Sequence, residues 1–346
     1  MQDAQRWSSN ARAGAKHFVA LVGLAVVFAG CSDSALSPSS PEASADVAPP
    51  LVLTHPNGTV TGTTPLDGEP YGVDVSINGT IYATQLAFNQ VATSTLASQT
   101  INGEIAVGST PTGVTFSPDG LTAYVTNQGS GTVGVIDVAT NTQVATVATP
   151  DGSSPLVVIV SANGKQLFVG TGGTNVYVVN THTLAVTDQI AVGGAANGFA
   201  LSPNNKLMFV SSFTSGTVTE FVVKTHAIVQ TFNPGGAPQG LTTNKHGTEL
   251  YVVNEAGFVS LFDIATGTLI TTLPLTAGGF GAAVTPDDNH LYLTEPDAGI
   301  VQIVNLKTRA LKGTINVGGN PRRVAFSATG NMGVVTNLNG YLSFIQ

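Results

Sequence analysis

The 346-residue sequence predicts an all-β fold, a seven-bladed β-propeller with four strands in each blade, and three observations support this prediction. Charged residues, which are common on helix surfaces, make up only 9% of the chain, while glycine occurs 40 times. A similar segment recurs seven times, and its period of about 42 residues is typical of four-stranded propeller blades. Within each repeat, short runs of Val, Ile, Tyr and Phe alternate with Thr and Gly, which is a strand pattern.

The repeat is clearest at one apolar position in the second strand of each unit. Its seven occurrences are Tyr82, Tyr124, Phe168, Phe209, Tyr251, Tyr292 and Val334. Each is preceded by a tight turn rich in Gly, Asn or Asp, residues that tolerate positive φ and therefore favour hairpins. The turns fall at residues 78–79, 119–120, 163–164, 204–205, 246–247, 287–288 and 329–330. The repeated apolar side chains are predicted to form the core between blades.

The seventh unit, residues 320–346, has material for only three strands. The missing strand is predicted to come from residues 58–64, whose sequence GTVTGTT is similar to the fourth strands of the other units. Closing the last blade with the first strand joins the ring and leaves few unpaired strand edges, which otherwise promote aggregation. The predicted organisation is a signal peptide (1–30), a lipidated cysteine with a Ser/Pro-rich tether (31–50) and the propeller (51–346).

Residues 1–30 are predicted to direct export and not to belong to the fold. The apolar run 18–29 is shorter than the roughly 20 residues that a membrane-spanning helix needs. It ends at FAGC, residues 28–31, which resembles a bacterial lipobox, the signal for attaching lipid to the cysteine; Phe28 departs from the usual Leu. An ordinary secretory signal with an incidental Cys31 is the alternative. Ser32 replaces the Asp that retains many lipoproteins at the inner membrane, so the resemblance implies an outer-membrane lipoprotein of the cell envelope.

Charge and cysteine content exclude several classes of protein. Residues 1–31 hold three of the 12 basic and one of the 20 acidic residues, so the remainder carries 9 and 19, a net charge of −10. So acidic a protein lacks the cationic surface that sequence-independent nucleic-acid binding requires. The single cysteine excludes an internal disulfide.

The repeat motifs resemble those of the YVTN-repeat, or YncE-like, β-propellers. The matching segments are TGVTFSPDG (112–120), AYVTN (123–127), GTVGVIDVAT (131–140) and LYVVN (250–254). The resemblance extends over residues 58–346 and implies the propeller fold. It implies little about activity, because propellers host many functions.

Functional side chains are expected where a unit departs from the repeat, around one mouth of the axial channel. Arg322 and Arg323 are such a departure. The equivalents of Arg322 are Tyr71, Thr112, Leu156, Asn197, Gln239 and Phe280. An arginine pair can grip a carboxylate or phosphate; the alternative is a salt bridge to Asp67 or Glu69. The predicted ligand-binding residues are Arg322, Arg323, Tyr71, Phe280, Gln239 and Asn197.

Three carboxylates are candidate metal ligands. Asp74 lies inside the first strand of unit one, and Glu255 and Glu295 follow the second strands of units five and six. Carboxylate oxygens could hold a divalent cation. The alternatives are a solvated acidic rim and, for Asp74, pairing with Arg323.

The histidines indicate no catalytic centre, and no catalytic residue is predicted. They lie in turns or at the tether, away from the mouth, with no metal-type His/Cys spacing. Outside the predicted signal peptide, the positions are His55, His182, His226, His246 and His290. The sequence contains no nucleophile elbow and no P-loop.

The leading functional hypothesis is a non-catalytic binding or scaffolding propeller in the cell envelope, with an envelope protein or glycan as partner. No cofactor is predicted apart from the candidate cation. The alternative is a metal-assisted lactone hydrolase or ring-opening lyase, as in some related propellers, although the histidine they require has no counterpart here. A lesser alternative is single-stranded DNA binding, described for some YncE-like proteins; two arginines are too few for a groove that follows a nucleic-acid backbone.

Overall fold

The structure is a computed structural model that describes residues 54–150 and 153–346. Within these residues the chain forms 28 strands and no helix. The strands make seven four-stranded antiparallel sheets, one for each predicted repeat. This confirms the predicted seven-bladed β-propeller. A search of the described residues for a helix long and apolar enough to cross a membrane finds none.

In each of the first six blades four consecutive strands pair in sequence order. Blade one contains β2 (Pro70–Val75), β3 (Thr80–Gln85), β4 (Gln90–Thr95) and β5 (Gly103–Ala106). Blade two contains β6 (Pro111–Phe116), β7 (Thr122–Asn127), β8 (Thr132–Asp137) and β9 (Thr142–Ala148). Blade three contains β10 (Pro155–Val160), β11 (Gln166–Thr171), β12 (Asn175–Asn180) and β13 (Val186–Ala191).

Blades four to six repeat this order. Blade four contains β14 (Ala196–Leu201), β15 (Leu207–Ser212), β16 (Thr217–Val222) and β17 (Ile228–Phe232). Blade five contains β18 (Pro238–Thr243), β19 (Glu249–Asn254), β20 (Phe258–Asp263) and β21 (Leu269–Pro274). Blade six contains β22 (Ala282–Val284), β23 (His290–Glu295), β24 (Ile300–Asn305) and β25 (Ala310–Asn316).

Blade seven is built from both ends of the propeller. It contains β26 (Pro321–Phe326), β27 (Gly333–Asn337), β28 (Tyr341–Ile345) and, from the N-terminal side, β1 (Val60–Pro65). β1 pairs antiparallel with β28, with Thr63 opposite Ser343. Thr59 and Gln346 exchange two backbone hydrogen bonds of 3.1 and 2.9 Å. The predicted closure of the ring is therefore confirmed, with bounds of 60–65 where the sequence indicated 58–64.

The turn between the first two strands of a blade needs a left-handed residue. Gly120 has a φ of 71°, and Asn205 and Asp288 occupy the same place in other blades with φ of 56° and 63°. Gly, Asn and Asp tolerate this region better than other residues do. This local chemistry makes each first and second strand a hairpin.

The repeated apolar position forms the core. Its seven side chains are at most 4% exposed, and they pack in clusters between adjacent blades. Burying one such side chain stabilises the fold by about 1.5–3 kcal/mol. Burial is thus the physical reason for the aromatic repeat.

The Thr of the YVTN motif links neighbouring blades. The Thr126 hydroxyl accepts a 2.7 Å hydrogen bond from the Gly113 amide and donates at 3.2 Å to the Leu156 carbonyl of the next blade. Thr336 repeats this contact where the ring closes, donating at 2.6 Å to the carbonyl of Tyr71 in blade one. A hydroxyl is suited to this place because it both accepts and donates. The first strands are thereby held in a ring around the channel.

Candidate functional site

One end of the channel carries an arginine between two aromatic rings. The guanidinium carbon of Arg322 lies 4.7 Å from the ring centroid of Phe280 and 5.8 Å from that of Tyr71. The two rings meet edge to face with centroids 5.7 Å apart. Arginine is attracted to aromatic faces at such distances. The structure therefore brings together three residues that the sequence predicts at the mouth.

Arg323 spans the channel. Its guanidinium also lies 4.7 Å from the Phe280 ring, and its Nη2 donates a 2.8 Å hydrogen bond to the carbonyl oxygen of Asn197 in blade four. Burial lowers the pKa of Arg323 below its ordinary value, and the positive charge of Arg322 acts in the same direction. Arg323 is thus committed to contacts within the protein.

Neither arginine forms the expected salt bridge. The ion pairs of the described residues involve His55, His226, His246 and Arg309, so the alternative of a bridge from Arg322 or Arg323 to Asp67 or Glu69 is wrong. The Nε atom of Arg322 is buried and has no hydrogen-bond partner in the described part of the chain. Arg322 therefore keeps donor capacity that the protein does not use.

A chain of side-chain amides leads from blade four to the rim. Asn197 Nδ2 donates to Gln239 Oε1, and Gln239 Nε2 donates at 2.7 Å to Glu255 Oε1. Loss of hydration raises the pKa of Glu255, an effect that the charge of Arg322 and the bond from Gln239 oppose. All six predicted ligand-binding residues thus lie at one end of the channel.

Arg322 opens onto a pocket at this rim. The pocket has a volume of about 310 Å³, and its walls include Phe280, Glu255, Pro296 and Asp297. This volume is within the range of small-molecule sites, roughly 300–1,000 Å³. A positive guanidinium and two carboxylates therefore face one small space.

The predicted metal carboxylates are not brought together. Asp74 lines a separate cavity of about 470 Å³ with Pro286 and Ser327, at the opposite end of the channel. Its Oδ1 accepts from the Val75 amide at 2.8 Å and its Oδ2 from the Phe116 amide at 2.9 Å, so the expected pairing with Arg323 does not form. Burial is the largest influence on Asp74 and raises its pKa to about 6.

Glu295 is directed into the protein and away from the rim pocket. Its side chain is fully buried, and Oε2 accepts a 2.6 Å hydrogen bond from the Ala277 amide. Burial raises its pKa above the ordinary value. The side chain thus fixes the loop that precedes β22, and the structure places it apart from Asp74.

Sequence reasoning missed one cluster. His55, Asp287 and His290 lie together at the end of blade six opposite the mouth. His55 is 232 residues from Asp287, so spacing along the chain gave no signal of a site. The predicted path of residues 58–64 along blade seven could have indicated it, because His55 just precedes that segment.

Cys31, the predicted lipidation site, lies outside the described residues. The same holds for the predicted signal peptide and tether.

Comparison with known proteins places the repeat in a known group. The family model for YNCE-like beta-propellers matches residues 58–249. The uncharacterized protein YwhL of Bacillus subtilis (strain 168) is 24% identical over 228 residues, covering 50% of this chain and 49% of its own. The seven-bladed beta-propeller protein Rv1057 of Mycobacterium tuberculosis (strain ATCC 25618 / H37Rv) is 24% identical over 166 residues, covering 46% and 42%. The chain thus spans about half the length of these curated relatives or slightly less.

A solved structure supports the fold alone. A chain of Kuenenia stuttgartiensis Hydrazine Synthase superposes with a TM-score of 0.74 at 19% identity, covering 81% of this chain and 96% of that one.

Proposed function

We propose that this chain, which belongs to the YNCE-like beta-propeller family, is a non-catalytic binding protein whose channel mouth holds a carboxylate group of its ligand. The position of Arg322 is the observation that supports this function most strongly. Its guanidinium is fixed against Phe280 and Tyr71, and its Nε has no partner among the described residues. Arg322 also lines the rim pocket, so a ligand carboxylate in that pocket supplies an acceptor to its guanidinium.

The rim charges favour a carboxylate over a phosphate. Glu255 and Asp297 line the same pocket as Arg322. A phosphate monoester carries about −1.5 to −2 charges, so these carboxylates repel it more strongly than they repel a single carboxylate. They also accept hydrogen bonds from hydroxyl or amide groups. A sugar acid or the C-terminus of a peptide offers both features.

The cell envelope is the proposed location. The apolar run 18–29 followed by Cys31 supports export and lipid attachment, and residues 32–50 have the composition of a flexible tether. The ligand is then a glycan or an exported protein. Mass spectrometry of the N-terminal peptide tests this directly, with a diacylglyceryl-modified Cys31 expected and an unmodified, uncleaved chain contradicting it.

The alternatives gain less support. A metal-assisted lactone hydrolase needs converging ligands, whereas Asp74 lies at the far end of the channel from Glu255. Single-stranded DNA binding needs a row of positively charged side chains along a groove. The mouth instead places Arg322 in one small pocket with the carboxylates of Glu255 and Asp297.

Calorimetric titration tests the proposed site. The probes are glucuronate, N-acetyl-alanyl-alanine with a free C-terminus, and inorganic phosphate. Arg322→Gln removes the charged donor, and Lys307→Gln is the matched control because Lys307 is exposed on blade six. A hydrogen bond to a charged group contributes about 1.5–3 kcal/mol, so Arg322→Gln should weaken carboxylate binding at least about tenfold.

The control should bind as the unaltered protein does. Equal affinity of the Arg322→Gln protein, or the absence of carboxylate binding by the unaltered protein, contradicts the proposed function.

A further inference from the structure

Three metal-ligating side chains meet where the chain enters the propeller. His55 belongs to the segment before β1, Asp287 lies in the turn between β22 and β23, and His290 is the first residue of β23. We propose that these three residues bind one divalent transition-metal ion of the zinc class and that this ion fastens the N-terminal segment to blade six. This site is distinct from the channel mouth and independent of the proposed function.

The distances are compatible with one ion. One ligand atom from each of the three residues lies within 4.8 Å of the others. His55 Nδ1 and Asp287 Oδ2 are 2.5 Å apart, and the two imidazole centroids are 4.2 Å apart. Zinc bonds of about 2.0–2.2 Å place tetrahedral ligand atoms roughly 3.3 Å apart, so shifts of up to about 1.5 Å complete the site.

His290 distinguishes this cluster from a simple His–Asp pair. Its residue exposure is 4%, and its Nδ1 is buried without a hydrogen-bond partner among residues 54–150 and 153–346. The hydrogen bond between His55 and Asp287 does not require a third side chain. A buried ring nitrogen without a hydrogen-bond partner lowers the stability of the fold. A metal ion removes this cost by binding the lone pair of the nitrogen.

Outer contacts hold the carboxylate in place. Thr285 Oγ1 donates at 2.7 Å to Asp287 Oδ1, and Asn289 Nδ2 donates at 2.8 Å to Asp287 Oδ2. Hydrogen bonds of this kind orient ligands at metal sites. The positive charge of Lys312 acts on His290 and would repel a metal ion bound there. The negative charge of the Asp287 carboxylate offsets this repulsion.

The donor set selects the class of metal. Imidazole nitrogen suits zinc, copper, nickel and iron, whereas magnesium and calcium prefer oxygen. Two imidazoles and one carboxylate leave a fourth tetrahedral position for water.

The site fastens a segment that already has anchors on both sides of His55. The Thr54 amide donates at 2.8 Å to the Thr329 carbonyl, and the Tyr292 hydroxyl donates at 2.9 Å to the Pro56 carbonyl. β1, the strand that closes the ring, begins at Val60. Metal binding therefore reinforces the approach to the closing strand.

Metal titration of the purified full chain tests the site. After removal of metal with EDTA and dialysis, zinc is added and the bound metal is counted by mass spectrometry; cobalt is used to record ligand-field absorption. One zinc per chain and tetrahedral cobalt bands are expected. His55→Gln and His290→Gln should each weaken zinc binding at least tenfold.

His246→Gln is the control, because the His246 side chain is 78% exposed and lies 3.9 Å from Asp288. It should bind zinc as the unaltered protein does. If His290→Gln fails to fold, His55→Gln decides, since His55 precedes the first strand. Zinc should also slow proteolysis in residues 54–59. Failure of the unaltered protein to bind zinc, or equal binding by His55→Gln and His246→Gln, overturns the site.

Discussion

The guanidinium of Arg323 donates a 2.8 Å hydrogen bond to the carbonyl oxygen of Asn197, so blade seven reaches blade four across the channel. Five of the six other blades have glycine where blade seven has Arg323, namely Gly72, Gly113, Gly198, Gly240 and Gly281. Arg323 therefore makes a contact across the channel that those glycines cannot make. Arg322, by contrast, has an Nε donor without a hydrogen-bond partner among the described residues.

Loss of this contact should destabilise the propeller. Arg323→Met keeps an apolar stem and removes the charged hydrogen bond, which contributes about 1.5–3 kcal/mol. The free energy of unfolding, measured in urea, should fall by about this amount. Arg309→Met is the control, since its ion pair with Glu249 lies at the surface, with the Arg309 side chain 43% exposed, and should contribute less than about 1 kcal/mol. Equal losses in the two variants would argue against the role of Arg323.

The glycines of the first strands should resist substitution. A Cβ atom on Gly72 would lie 2.2 Å from the carbonyl oxygen of Thr112 in the next blade. Because this oxygen belongs to the backbone, it cannot move away without disturbing the strand. Gly72→Ala should therefore lower the unfolding free energy by about 1–3 kcal/mol or more. Gly313→Ala, where no atom lies within 4 Å, should be neutral or slightly stabilising. Thermal unfolding of both variants checks the contrast, and a stable Gly72→Ala protein would contradict the close packing.

Asp74 should make stability depend on pH. Its pKa is raised from 3.8 to about 6 by burial, so the folded state holds the proton more tightly than the unfolded state. This contribution is fully present below about pH 4 and is lost as pH rises through about 6. The loss amounts to about 3 kcal/mol.

The variant Asp74→Asn cannot ionise and supplies the comparison. Between pH 4 and pH 8, the unfolding free energy of the unaltered protein should fall by about 3 kcal/mol relative to that of the variant. Urea unfolding of both proteins across this range measures the difference. A difference that stays constant with pH would show that Asp74 titrates normally.

Ring closure should depend on β1. A chain that begins at residue 66 lacks the strand that pairs with β28, whereas a chain that begins at residue 54 keeps it. Each lost ladder hydrogen bond costs about 0.5–1.5 kcal/mol, and the uncovered β28 edge promotes association. The shorter chain should melt at lower temperature and elute as larger species in size-exclusion chromatography. Two monomeric chains of equal stability would contradict the role of β1.

Sequence was sufficient for the fold because the repeat specifies it locally. Positions such as Tyr251 and Thr126 recur in register, so the core, the hairpins and the seven blades follow from periodicity. The mouth residues were also accessible, because Arg322 occupies a repeat position that faces the channel. The periodicity of the sequence therefore predicts where each residue lies within its own blade.

Periodicity does not give side-chain partners in other blades. Asp74 accepts a hydrogen bond from the Phe116 amide of the adjacent blade, a contact set by how the blades pack. His55 lies before the first repeat, so its approach to His290 depends on the path of the N-terminal segment. Both contacts form only in the assembled ring, so the repeat pattern of the sequence does not predict them.

The Nε–H signal of Arg322 in a nitrogen-15 NMR spectrum tests the mouth site most directly. Arg309, Arg322 and Arg323 are the arginines of residues 54–346, so few signals need assignment. Titration with glucuronate should shift the Arg322 signal in a saturable way and leave the Arg309 signal in place. An unmoved Arg322 signal, or equal shifts at Arg309, would contradict carboxylate binding at the channel mouth.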